Sequence, residues 1–266
     1  MKWRFSKYHG TGNDFILFDN RDANFPKDDS VLIEKLCHRR FGIGADGLIL
    51  IEKDAHFDFF MRYFNADGEE GSLCGNGGRC AAMFAYKIDI TSQKTIFNAI
   101  DGIHQAEIKG DEVKLGMSDV SFFGKTEYYY YMDTGSPHIV IFTEDIDNID
   151  VFTDGRELRF NKDISDKGVN VNFVDIAGAN TLRIRTYERG VEDETWSCGT
   201  GAVAAALAFH LHKKSVQLPS TVILLSKGGV LNVGFDSEEG AFTKVNLEGS
   251  VNHVFNGTIN IKKIKH

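Results

Sequence analysis

Two cysteines stand before glycine in the same local design. Cys198-Gly199-Thr200-Gly201 opens the small-residue run AVAAALAF, and Cys74-Gly75-Asn76-Gly77 opens GRCAAMFAY 124 residues earlier. The run after Gly201 has Ala at most positions, no Pro and few β-branched residues, which predicts a helix; side chains this small suit a helix enclosed on several sides. Each cysteine then sits at a helix entrance, where unpaired backbone N–H groups and the positive end of the macrodipole favour a thiolate. The same N–H groups can hold a carboxylate, and glycine lets a ligand come up to the backbone. Two thiols presented in this way fit inversion of a stereocentre, in which a thiolate removes a proton from one face of a carbon while a thiol delivers one to the other face. A free cysteine with a pKa of about 8.5 is brought toward neutrality by such surroundings, so acid and base forms coexist.

The hydrogen α to an amino-acid carboxylate is very weakly acidic, so its carbanion needs stabilisation as it forms. No lysine lies in a pyridoxal-type context, which leaves the helix-entrance N–H groups, each worth roughly 3 kcal/mol in a water-poor pocket. Closure of two domains would exclude the water. Two buried structural thiols, or a disulfide joining them, are the competing explanation for the cysteine pair, and a single Cys before a helix would be read that way. Recurrence at a repeat offset favours the chemistry.

That recurrence is not confined to the cysteines. Thr11-Gly12-Asn13 before FILF finds Thr134-Gly135-Ser136 before Pro137 and HIVIF at an offset of 123; Phe64-Asn65 finds Tyr187-Glu188 at 123, and Gly42-Ile43 finds Gly168-Val169 at 126. Colinear matches near one offset predict an internal duplication. The 266 residues suit two domains of about 100–150 residues each. The expected halves are 1–118, completed by a returning strand at 254–266, and 119–253.

Elements to position the cysteines follow from local pattern. HGTGNDF is a glycine-punctuated turn before the strand FILFD, placing Asn13 where it can face a cleft or serve its own turn. Asp28-Asp29-Ser30 caps a helix over VLIEKLCHRRF, with His38, Arg39 and Arg40 as its polar end. FGIGADG lacks the Gly-Lys-Ser/Thr of a phosphate loop and precedes LILIE, so it is read as a turn delivering a strand. DFFMRYFNADG is a strand ending at Asn65. Thr95–Met117 and Thr221–Leu247 are short antiparallel strands, YYYYMD begins the second half, and His138 follows its turn. Each half therefore holds several strands around one small-residue helix, an α/β (α+β) arrangement.

A formal charge of −8 and 26% charged residues argue against a general nucleic-acid surface, and the terminal IKKIKH is read as a solvated strand end. No apolar run reaches the roughly 18 residues of a membrane span and the start lacks a secretory core, so a cytoplasmic protein without membrane association is expected. Four cysteines are too sparse for a disulfide scaffold, and none of their spacings forms a CxxC pair or a Cys/His cluster. Cys37 and Cys80 read as buried thiols, and no metal is expected.

HGTGNDF, RRFGIGADG, FNADG followed by CGNGGRC, GVNVNF, and YERG followed by CGTGA resemble, in order and over nearly the whole chain, the diaminopimelate epimerase family. The resemblance implies two homologous domains, each a mostly antiparallel strand barrel around a central helix. It implies cofactor-independent interconversion of LL- and meso-diaminopimelate on the lysine and cell-wall route, with Cys74 and Cys198 as acid and base. It further implies substrate contacts from Asn13, Asn65, Asn170, Glu188 and Arg189, and a carboxylate cradle from Gly75, Asn76, Gly199 and Thr200. His138 and Glu188 stand where thiol-tuning residues are placed. Ser136 stands where Asn often precedes Pro-His and is carried as a substrate contact of shorter reach; Gly47, where some members carry Gln, has no side chain to offer. An Arg with Asn amides suits a distant carboxylate and a Glu suits an ammonium group, so Arg189, Asn65 and Asn170 speak against a proline or hydroxyproline racemase. Outside that class, the same residues allow a binding protein of this fold or a thiol redox protein. The expected partner is a small amino-acid substrate; oligomeric state is not set by the sequence, and a homodimer is allowed.

Overall fold

The computed structural model describes residues 2–213, 221–238 and 240–260. The chain divides into two units, Met1–Leu115 with Ser250–His266, and Gly116–Gly249.

In the first unit the order is β1 (Lys2–Gly10), β2 (Asn13–Asp19), α1 (Ser30–Cys37), β3 (Gly47–Glu52), β4 (Phe60–Asn65), α2 (Gly75–Lys87), β5 (Lys94–Ala99), β6 (Gly102–Lys109) and β7 (Glu112–Gly116). The second runs β8 (Phe123–Lys125), β9 (Tyr130–Asp133), β10 (Pro137–Phe142), α3 (Val151–Phe160), β11 (Asn170–Ile176), β12 (Thr181–Glu188), β13 (Asp193–Thr195), α4 (Gly199–His212), β14 (Thr221–Ser226), β15 (Gly229–Glu238) and β16 (Ala241–Asn260). The early part of β16 pairs antiparallel with β15, and its later part pairs with β1 from Gly10↔Val251 to Lys2↔Asn260. Residues 254–260 thus complete the first unit's sheet, while the expected continuation over 261–266 lies outside the described residues.

Among the described residues the first unit closes eight strands, β1 through β7 and then β16, which returns to β1. The second runs from β16 through β15, β14, β12, β11, β10 and β9 to β8, and the segment before β8 bridges back to β16 at Val120↔Phe242. The duplication is visible in the wiring. In each unit two parallel pairs are joined through a helix: β2–β3 across α1 and β4–β5 across α2, then β10–β11 across α3 and β12–β14 across α4. The other pairings whose register is described are antiparallel.

The second helix of each unit is the enclosed one. Every residue from Gly75 to Ala85 of α2 is buried, as is every residue from Gly201 to Phe209 of α4. With strands around it, such a helix has no solvent face: α4 is apolar or small from Gly201 to Phe209, the polar Asn76 and Arg79 of α2 are themselves buried, and the Ala and Gly positions let strands approach closely. The first helix of each unit lies outside its barrel. Asp29 caps α1 by accepting from the Leu32 N–H, and Leu32, Ile33 and Leu36 pack with Ile16, Phe18, Leu48 and Leu50. Asp150 caps α3 in the same way, accepting from Thr153.

Two differences from the sequence reading have local causes. The enclosed helix of the second unit begins at Gly199 rather than after Gly201, because Cys198 itself is the N-cap. Each half also has an outer helix; α3 carried no clear sequence signature because it buries only Val151 and Gly155. Gly155 lies where a Cβ would fall 2.5 Å from the Tyr187 Cβ, so this mid-helix glycine lets α3 lie flat on β12.

Candidate active site

Both cysteines are helix N-caps in extended backbone, Cys74 before α2 and Cys198 before α4. The cap position points a side chain back at the first free N–H groups of its own helix. Cys198 uses it directly: its Sγ accepts from the Gly201 N–H at 3.4 Å and lies 3.4 Å from the Thr200 hydroxyl. Gly75 and Gly199 are the first helical residues, so their backbone N–H groups belong to the two entrances. None of the four cysteines forms a disulfide among the described residues, and burial pushes the Cys37 thiol up to about 12 and Cys80 higher still, so both remain inert thiols.

Around Cys74 the side chains are set by ion pairs and amides. Asn13 leaves the turn at Thr11-Gly12, both with positive φ, and begins β2. Its Nδ2 donates to Asp46 at 2.7 Å, which turns its Oδ1 toward the Cys74 Sγ at 3.4 Å and the Asn76 Nδ2 at 3.2 Å. Asn76 is fixed from behind by Arg79, whose Nη2 donates to its Oδ1 at 2.6 Å and to Thr11 at 3.1 Å. Arg79 is fully buried, and desolvation lowers its pKa although the neighbouring Cys80 and Cys74 oppose that.

Asp46 is held in turn by Arg39, which also pairs with Asp14 at 2.7 Å; Lys7 reaches Asp14 at 2.6 Å. Burial alone would raise the Asp14 carboxyl, but Arg39 and Lys7 hold it down at about 2. Arg39 is therefore more than the polar end of α1: it braces the aspartates that orient Asn13. Gly47 begins β3 where a Cβ would fall 2.5 Å from the Tyr63 ring, so that space is already filled. Asn65 ends β4 with an exposed side chain, and among the described residues it makes no bond to the Cys74 cluster.

The second unit gathers its residues into two groups. In one, His138 Nε2 lies 2.9 Å from the Thr200 hydroxyl, next to Cys198. His138 is wholly buried; desolvation, with a smaller push from Arg189, lowers its pKa to about 3, so the imidazole is neutral. In the other group, Asn170 donates to Ser136 at 2.9 Å and to the Pro137 carbonyl at 3.0 Å, and accepts from the Arg189 N–H at 2.9 Å. The Arg189 Nη2 lies 3.5 Å from the Ser136 hydroxyl. The amide nitrogen of Asn170 thus holds the Ser136-Pro137 turn, while its oxygen holds the turn that carries Arg189. Glu188 ends β12, and its carbonyl accepts from the Glu192 N–H to close that turn.

The glycines at matched positions after the cysteines differ in a testable way. A Cβ on Gly201 would sit 2.4 Å from the Asn172 Oδ1 and 3.3 Å from the Cys198 Sγ, whereas one on Gly77 would make ordinary contacts of 3.4–3.5 Å with Ile49, Cys74 and Met61. In urea unfolding, Gly201→Ala is expected to lose about 1–3 kcal/mol by overpacking. Gly77→Ala is expected to be neutral or to gain up to about 1 kcal/mol from helix propensity. Equal effects of the two changes would contradict this account.

Sequence reasoning missed Asp46, Arg39, Arg79, Asn172 and Thr186. A signal for Asn172 was present: an asparagine between Val171 and Phe173, in a run that reads as a buried strand, is anomalous unless its amide is hydrogen-bonded.

The family model described as diaminopimelate epimerase matches residues 5–123 and 130–254. A diaminopimelate epimerase of Flavobacterium psychrophilum is 47% identical over 95% of this chain and 98% of its own length, and one of Chlorobaculum tepidum is 43% identical over 95% and 99%. Among solved structures, a phenazine biosynthesis protein of the PhzF family from Bacillus anthracis superposes with a TM-score of 0.79 at 14% identity, covering 98% of this chain and 99% of that one. A hydroxyproline epimerase from Agrobacterium vitis gives 0.71 at 16%, covering 97% and 92%. At those identities the structures report the fold, two duplicated barrels each around a helix. The near full-length relatives report more: the chain belongs to the diaminopimelate epimerase family of isomerases.

Proposed function

We propose that this chain interconverts LL- and meso-diaminopimelate without a cofactor, as a step in forming lysine and peptidoglycan precursors in the cytoplasm. One of Cys74 and Cys198 removes the α-proton as thiolate, the other supplies a proton as thiol, and the roles exchange for the reverse direction. The observation that carries the reading is that each barrel delivers one cysteine as the N-cap of its enclosed helix. A carboxylate held by the N–H groups at Gly75, Asn76, Gly199 and Thr200 has its negative charge stabilised as the carbanion forms. A thiolate is favoured by the same dipoles.

The remaining contacts select the substrate. Asn13 and Asn65 come from the first unit; Ser136, Asn170, Glu188 and Arg189 come from the second. The guanidinium of Arg189, braced through Asn170 and Ser136, suits a distal carboxylate, and the Glu188 carboxylate suits the distal ammonium. His138 and Glu188 tune the thiols, His138 as a neutral donor. A proline-type substrate has no distal group for Arg189 to bind.

The test is α-hydrogen exchange in deuterated water, followed by mass spectrometry. LL-diaminopimelate is expected to take up α-deuterium and to yield the meso isomer, with proline and hydroxyproline unlabelled. Labelling of proline alone, or of none of the three, overturns the proposal.

A further inference from the structure

The register of the duplicated barrels shows what the second unit adds beneath its cysteine. Phe15 pairs with Gly47 in the first parallel ladder as His138 pairs with Asn170 in the second, so Phe15 and His138 are equivalent. By the same register Ile49 corresponds to Asn172 and, one strand further, Tyr63 to Thr186. Three positions that are apolar or aromatic below Cys74 are thus His, Asn and Thr below Cys198. His138 and Asn172 are fully buried and Thr186 is nearly so. Buried polar groups are costly unless hydrogen-bonded throughout, and this set is.

The bonds have a fixed direction. The Thr186 hydroxyl donates to the Asn172 Oδ1 at 3.0 Å, and the Asn172 Nδ2 donates to the Ile139 carbonyl at 2.9 Å. That orientation leaves Nδ2, a donor only, facing the His138 Nδ1 at 3.1 Å. His138 is neutral, so with Nδ1 accepting its proton is on Nε2, 2.9 Å from the Thr200 oxygen. The Thr200 oxygen accepts that hydrogen bond and is left to turn its own hydrogen to the Cys198 Sγ at 3.4 Å. The missing side chain of Gly201 makes room for the Asn172 oxygen under the helix mouth.

We propose that Asn172, held by Thr186, is a positioning residue: it fixes the Nε2–H tautomer of His138 and so turns the Thr200 hydroxyl as a donor onto the Cys198 sulfur. Together with the Gly201 N–H, that hydroxyl stabilises Cys198 as thiolate. The proposal rests on the two-cysteine reading of the function, but its NMR and alkylation tests need no substrate, so the two fail separately.

In the unaltered protein, ¹⁵N NMR of His138 is expected to show a protonated Nε2 and a bare Nδ1. The opposite tautomer overturns the proposal whether or not any variant folds. Asn172→Leu is expected to slow alkylation of Cys198 by iodoacetamide at pH 7 roughly tenfold while leaving Cys74 unchanged. Thr186→Val, which frees the amide to flip, is expected to act in the same direction with a smaller effect. In diaminopimelate turnover kcat is expected to fall with KM unmoved. A folded variant that alkylates at both cysteines like the parent overturns the assignment, as does equal slowing at both.

Discussion

Replacing either Cys74 or Cys198 by serine is expected to lower epimerisation about 10²- to 10⁴-fold, the range for loss of a positioned acid or base. The hydroxyl nearly matches the thiol in shape, so in Cys198→Ser it can keep the bond from the Gly201 N–H, and in Cys74→Ser it can keep the one to Asn13. What changes is acidity: a serine hydroxyl is far harder to ionise, and no helix entrance closes that gap. The measurement is kcat with LL-diaminopimelate and, separately, with the meso isomer, in variants whose circular dichroism and urea midpoints match the parent. A variant within about threefold of the parent in both directions would remove that cysteine from the chemistry, because an acid–base role is worth far more than that. Loss confined to stability would make the residue structural.

The parts of this molecule that were legible in sequence are those whose cause is local. A small-residue run after Cys-Gly must be helical and enclosed, and α2 and α4 are. Glycine and turn residues before FILF and LILIE announce β2 and β3, and both strands are buried as their composition requires. The repeat offsets mark equivalent packing as well as equivalent sequence: Gly42 lies against the last turn of α1 and Gly168 against that of α3, where a Cβ would strike the Lys35 and Arg159 carbonyls.

What was not legible depends on partners distant in the chain. Arg39 and Asp46 looked like a polar helix end and a turn, and only folding brings both to Asn13 and Asp14. Nothing local to Thr186 or Asn172 announces the other, and only the β11–β12 register sets them opposite each other. Asn170 was singled out through the resemblance, yet its amide bonds to Ser136, Pro137 and Arg189 come from the packing of β10 on β11 and the turn after β12.

The buried imidazole also makes the protein's stability respond to acid. With desolvation holding His138 at about 3 in the native state and an unfolded value near 6.5, the unfolded chain binds a proton between those limits and the native chain does not. Native stability from this group is therefore complete above about pH 6.5 and is lost as pH falls, at roughly 1.4 kcal/mol per unit, until the native imidazole itself protonates near pH 3. His138→Gln keeps a donor toward Thr200 but cannot titrate, and His138→Phe imitates the residue at the equivalent place in the first unit, Phe15. Between pH 6.5 and 5 the parent is expected to lose about 2 kcal/mol more than either variant in urea unfolding. His210 and His212, whose pKa values burial also lowers, remain in all three proteins and cancel from the difference. Parallel losses in parent and variants would mean that His138 takes up a proton in the native state as readily as in the unfolded one. In that case it would not be the fixed neutral donor that Thr200 and Cys198 require.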